Sequence, residues 1–142
     1  MTGEQADLFK LTNRSSRTCT LDGYPGVSLS HLSKRLAFIY LDGGGPYVTK
    51  QKPQRVTLAP GQHGSFLVAK YRCDGGVLSA ATSIRIVLPA TPSGSVILGL
   101  GGLTAGALDY CKRYPGDQPV DPGNRVTVSP VEPSLLATRS QA

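Results

Sequence analysis

Apolar residues along this chain recur at every second position in short runs, and turn-forming residues stop each run well before helical length. Residues 7–13 set Phe9 and Leu11 on one face against Lys10 and Thr12 on the other. Residues 17–21 point Cys19 and Leu21 the same way, and residues 27–32 carry Val27 and Leu29 in step. Residues 36–41 form a compact apolar strand that ends at Asp42-Gly43-Gly44-Gly45, with residues 46–50 as its candidate hairpin partner. Residues 55–58 alternate cleanly and meet Ala59-Pro60-Gly61, where proline fixes one φ and glycine admits a positive one. Residues 66–72 follow as a longer strand, with Phe66, Val68 and Lys70 opposed to Leu67, Ala69 and Tyr71. Further strands are predicted at 83–88, 95–100 and 125–131. Residues 101–107 stay open between a glycine-broken strand and a loop, and residues 109–124 hold too much proline and glycine for any regular element.

Such spacing predicts an all-β antiparallel sandwich of about eight or nine strands. The chain, 142 residues long, suits one core, so residues 1–131 are expected to form a single domain and residues 132–142 a flexible tail. Composition agrees: 17 glycines and 11 prolines in so short a chain disfavour long helices. The longest apolar run, residues 96–108, is interrupted by glycine and too short to span a bilayer as a helix. No basic-then-apolar leader opens the chain, so export would require that a leader has already been removed.

Charge invites a nucleic-acid reading and its distribution removes it. The net charge is +6, but Lys34, Arg35, Lys50, Lys52, Arg55, Lys70, Arg72, Lys112 and Arg113 are spread over the whole chain. No zinc knuckle, helix-turn-helix or aromatic RNA-binding run accompanies them. What remains is a solvated basic surface with a weak, salt-dependent attraction to anionic polymers or membranes.

Three cysteines, Cys19, Cys73 and Cys111, match no zinc spacing, and His31 and His63 are the only imidazoles, so no metal or cofactor is expected. An odd count in an exported domain suggests one bridge and one thiol whose partner is missing or lies in another chain. Asp109, Asp117 and Asp121 could be imagined around calcium, although a solvated loop explains them better. Gly99-Leu100-Gly101-Gly102 lacks the lysine and helix that a phosphate cradle requires. His31 lies among Ser28, Ser30 and Ser33, yet neighbours on a strand alternate faces, and His63 follows an exposed turn. A non-enzyme is therefore expected, with a hydrolase acting through His31 or His63 as the alternative. The candidate contact surfaces are the loops 33–35, 42–46 and 112–121, the last bringing Tyr110 and Tyr114 beside Lys112 and Arg113.

Three features carry a resemblance, two motifs and the placement of Cys73 and Cys111 before and after a strand pair. Leu11-Thr12-Asn13-Arg14-Ser15-Ser16-Arg17-Thr18-Cys19-Thr20-Leu21-Asp22-Gly23-Tyr24-Pro25-Gly26-Val27 resembles the LTNxSxxxCTLxGYPGV signature of an actinobacterial family of unknown function, number 4232, and Val56-Thr57-Leu58-Ala59-Pro60-Gly61 resembles its VTLAPG turn. The resemblance implies an immunoglobulin-like sandwich, exported or lipid-anchored, with no assigned activity. It also implies that Cys73 bonds Cys111 and that Cys19 is unpaired, because family members begin with a further strand and cysteine before the position of Met1. Within the motif, Gly23, Tyr24, Pro25 and Gly26 read as a structural corner, the tyrosine laying its ring on the core while its hydroxyl reaches backbone. The expected role is a non-catalytic module of the cell envelope or extracellular space that binds a protein or a wall polymer. Self-association through Cys19 or an open sheet edge is the other alternative.

Overall fold

Phe9 stacks on Phe66 with 5.5 Å between ring centroids, and around this pair two sheets close. The computed structural model describes residues 4–44, 48, 52–71, 77–90, 93–100, 108–111 and 125–134. Their strands are β1 (Glu4–Thr12), β2 (Cys19–Asp22), β3 (Gly26–His31), β4 (Lys34–Arg35), β5 (Ile39–Asp42), β6 (Arg55–Leu58), β7 (His63–Tyr71), β8 (Leu78–Ala80), β9 (Ser83–Val87), β10 (Ser95–Gly99), β11 (Asp109–Cys111) and β12 (Arg125–Val128). Among the described residues no helix is long and apolar enough to cross a membrane.

One sheet runs β1-β7-β12-β5 and the other β10-β9-β3-β4, with two further pairs, β11-β8 and β2-β6. The main core takes Phe9, Phe66, Val68, Val126 and Val128 from the first sheet and Leu29, Ile84 and Ile86 from the second. Each set occupies alternate positions of its strands, which is why the two faces can meet. A smaller core of Leu21, Val56, Leu58 and Val131 sits under the β2-β6 pair.

The all-β sandwich predicted from alternation is the observed architecture, with three differences of detail. Twelve strands appear among the described residues because β4, β8 and β11 are only two or three residues long, below what a periodicity can register. β11 lies inside the stretch expected to be irregular: Asp109 pairs with Ala80 and Cys111 with Leu78. β5 pairs with β12, in parallel, Ile39 opposite Arg125 and Asp42 opposite Val128. Of its expected hairpin partner only Val48 is among the described residues, and it is buried.

The strand-turn-strand unit around Pro60 is observed, and its two strands belong to different sheets. β6 pairs with β2, while β7 pairs with β1 and β12, so the turn carries the chain from the small pair into the first sheet. Asn13 locks this crossing. Its buried side chain donates to the carbonyls of Arg17 (2.7 Å) and Leu58 (2.9 Å) and accepts from the Ser15 N–H and hydroxyl. Its backbone exchanges two more bonds with Gly61 and Gln62. The two motifs that carry the family resemblance are thus one hydrogen-bonded unit, and a buried amide so fully satisfied is a structural node.

Gly23 to Gly26 connect β2 to β3. The positive φ belongs to Gly23, at 105°, and Gly26 opens β3 directly opposite Val87, where a Cβ would come within 3.2 Å of the valine Cβ. Pro25 is fully buried. The Tyr24 hydroxyl lies over Gly43, leaving 3.0 Å to any Cβ placed there. The chain past Val131 is also better anchored than a free tail: Glu132 is buried and bridges Ser65, whose hydroxyl donates to the carbonyl of Ser134. Residues 135–142 lie outside the described residues.

Candidate functional site

At the end of the sandwich where β5 begins, four aromatic rings gather about a buried lysine. Lys70 stands on the same face of β7 as Phe66 and Val68, the core face, and has 0% exposure. Its ammonium donates to the carbonyl of Tyr71 at 2.6 Å and to the carbonyl of Asp109, and it lies 5.3 Å from the centroid of the Phe38 ring. A buried cation is tolerable only when such donors are used. Lys70 thereby ties β7 to β11.

Phe38 meets Tyr110 edge-on at 5.6 Å and Tyr40 at 6.3 Å, and Tyr110 meets His31 at 6.5 Å. These separations and steep interplanar angles are those that aromatic quadrupoles favour. The Tyr40 hydroxyl donates to the carbonyl of Leu36 and accepts from the Leu29 N–H at 2.9 Å. Burial pushes the Tyr40 phenol above its ordinary value, opposed in part by the Leu29 bond and by Arg35, whose guanidinium sits 5.1 Å from the ring centroid. The backbone-reaching hydroxyl expected of Tyr24 is in this respect supplied by Tyr40.

His31 closes the group against β8. Its Nδ1 lies 2.9 Å from the carbonyl of Ala80, a partner that can only accept, so Nδ1 carries the proton. His31 also begins a two-residue loop to Lys34 whose central residues, Leu32 and Ser33, have φ of 47° and 69°. Such φ values give the twist that a two-residue hairpin needs, but asparagine and glycine adopt them with far less strain than leucine. The Thr82 hydroxyl accepts from the Leu32 N–H at 2.8 Å and holds the strained residue, whose side chain is 76% exposed. Lys34 and Arg35 follow it, both exposed.

Of the residues singled out in the sequence, the structure brings Tyr110, His31 and the loop 33–35 to one place. Asp42, Gly43 and Gly44 sit at the far end of β5, where the Gly43 N–H donates to the carbonyl of Val128. Lys112, Arg113, Tyr114, Asp117, Asp121 and Cys73 lie outside the described residues. His63 is exposed at the start of β7, opposite Thr12. Cys19 is a free, half-buried thiol at the start of β2, away from this end. Among the described residues no three of His, Cys, Asp and Glu gather as a metal site would require.

Sequence reasoning missed Phe38, Tyr40 and Lys70. Signals existed: Phe38 and Tyr40 are two apart on one apolar strand, and Lys70 falls in step with Phe66 and Val68, which marks it as core-facing.

A family model described as Domain of unknown function (DUF4232) matches residues 2–132. No curated protein and no solved structure matches the chain.

Proposed function

The chain belongs to the DUF4232 family, and from its own geometry we propose that it is a non-catalytic binding module of the cell envelope that takes an anionic partner, an acidic protein segment or a wall polymer, at the aromatic end of the sandwich. The observation that carries this reading is the association of Tyr110, Phe38 and His31 with exposed Lys34, Arg35 and Leu32. Rigid half-buried rings give contact area at low entropic cost, and the exposed cations supply attraction and steering. Lys112 and Arg113 follow directly on Cys111 in sequence. The Nδ1 proton of His31 is committed to a backbone carbonyl, which suits positioning better than proton transfer.

The reading includes export and a bridge between Cys73 and Cys111. Its support is that Cys19 is a free thiol, which leaves the other two cysteines as the pair that the family resemblance implies. In the chain-entropy model such a bridge contributes on the order of 4 kcal/mol.

The test is salt-dependent binding to an isolated anionic wall polymer and to polyglutamate, comparing the parent chain with Lys34→Glu/Arg35→Glu and with Tyr110→Ala. Binding at least about ten-fold weaker for each variant is expected, since two reversed charges and one lost ring each remove more than about 1.4 kcal/mol. Equal binding by all three proteins rejects this surface. Fragment masses of the same preparation under non-reducing conditions should include a Cys73–Cys111 cross-link.

A further inference from the structure

On the opposite flank the sandwich is open. β1 bonds only β7 and β10 bonds only β9, so each leaves its outer backbone edge without a ladder partner among the described residues. Val96 and Leu98 share the face of buried Ile84 and Ile86 and point toward β1, yet they are 51% and 46% exposed. Between the strands lies a groove of about 430 Å³ walled by Asp7, Phe9, Leu11, Ile86, Val96 and Leu98, with Leu8 and Lys10, exposed at the alternate positions of β1, also at its border. It continues, through Leu11 and Val96, into a cavity of about 590 Å³ that Cys19 and Leu58 also line.

Asp7 is the anomaly in this groove. It shares the inward face of Phe9 and Leu11, its burial raises the carboxyl above the ordinary value of 3.8, and the ion pair between described residues is elsewhere, Arg55 with Asp22. A half-buried carboxylate among apolar side chains asks for a cation or donor from whatever fills the space. β10, Ser-Val-Ile-Leu-Gly, has neither the charge nor the proline that ordinarily blunts an edge, and Ile97 on its outer face is 71% exposed.

We propose that the seam between β1 and β10 takes up an extended peptide strand of another polypeptide, apolar at alternate positions and carrying a lysine or arginine that faces Asp7. Strand addition satisfies the open backbone edge, alternate apolar side chains cover Val96 and Leu98, and the cation answers the carboxylate. A second copy of this chain fits less well. Two-fold antiparallel pairing of β1 with itself keeps inward residues opposite inward residues, so Asp7 would face Gln5, Asp7, Phe9 or Leu11, none of them cationic. β10 carries no cation at all.

The experiment uses the full chain and a seven-residue peptide of alternating valine and threonine with a central lysine, against the same peptide with a central glutamate. Binding is followed by fluorescence anisotropy and by the rate of Cys19 alkylation with iodoacetamide, Cys19 serving only as a reporter in the adjoining cavity. The lysine peptide should bind and slow alkylation, with affinity falling about ten-fold or more for the glutamate peptide, for Asp7→Asn, and for Val96→Lys, each variant first shown to be folded by circular dichroism. Equal binding of both peptides, indifference to Asp7→Asn, no binding of either peptide, or a dimer in sedimentation that masks Cys19 without peptide would each overturn the proposal.

Discussion

The two flanks of the sandwich handle a buried charge in opposite ways. Beside β5, Lys70 is wholly enclosed and its ammonium is spent on two carbonyls and the face of Phe38, so the charge joins strands. Beside β10, Asp7 is half-buried in a groove lined mostly by apolar side chains, with Lys10 at its border, and burial works against its ionisation. The first flank is finished by the chain's own groups; the second has no such complement among the described residues. Aromatic rings make the difference, because Phe38, Tyr40 and Tyr110 bridge the gap between sheets that Val96 and Leu98 leave uncovered.

The largest expected effect comes from breaking the finished flank. Lys70→Ala leaves the carbonyl of Tyr71, part-buried, and that of Asp109, buried, without this donor and opens a void, and should cost about 3 kcal/mol in urea unfolding. Lys70→Met retains the stem and loses only the donors, so its cost should be nearer half of that. Equal stability of all three proteins would show that the enclosure of Lys70 is not a structural requirement.

Tyr40→Phe should cost about 1–2 kcal/mol, because the Leu29 N–H loses its acceptor while the ring stays. The phenol's raised value gives a sign as well: the folded state holds the Tyr40 proton more tightly than the unfolded state, so stability falls as pH rises above about 10. The Phe variant should lose less over the same interval, a difference that unfolding curves across that range would reveal.

The smallest effect sharpens the other side of the comparison. Asp7→Asn should stabilise the unliganded chain at neutral pH by less than about 1 kcal/mol, solvent screening the half-exposed group. Here too the folded state favours the protonated form, so the wild-type penalty is present at neutral pH and vanishes as the pH falls below 3.8. The gain should therefore shrink to nothing in acid. A destabilised Asn variant would mean that Asp7 has a role within the isolated fold.

Much of this could be read from alternation, and the exceptions have a common cause. Phe9 with Leu11, Ile84 with Ile86 and Val126 with Val128 each announce an inward face, and the structure uses those faces. Tyr110 was visible as an aromatic beside basic residues, and loop 33–35 as an exposed basic turn. Their meeting with Phe38 was not, because β11 is three residues long and gives no period to detect. Nor could the open seam be seen, since Val96 and Leu98 have the pattern of covered residues and their exposure depends on what faces them.

From the sequence alone came the strand class, the inward face of each long strand and the positions of the turns, because local sterics and two-residue periodicity are written residue by residue. Tertiary structure decided the pairing. The Pro60-Gly61 turn leads from β6, paired with β2, to β7, paired with β1, and β5 finds a parallel partner 86 residues away in β12. Ladder bonds use backbone groups that nearly every residue carries, so partner choice rests on the simultaneous closure of the whole core. The same closure buried Lys70 and left Asp7 facing an open seam.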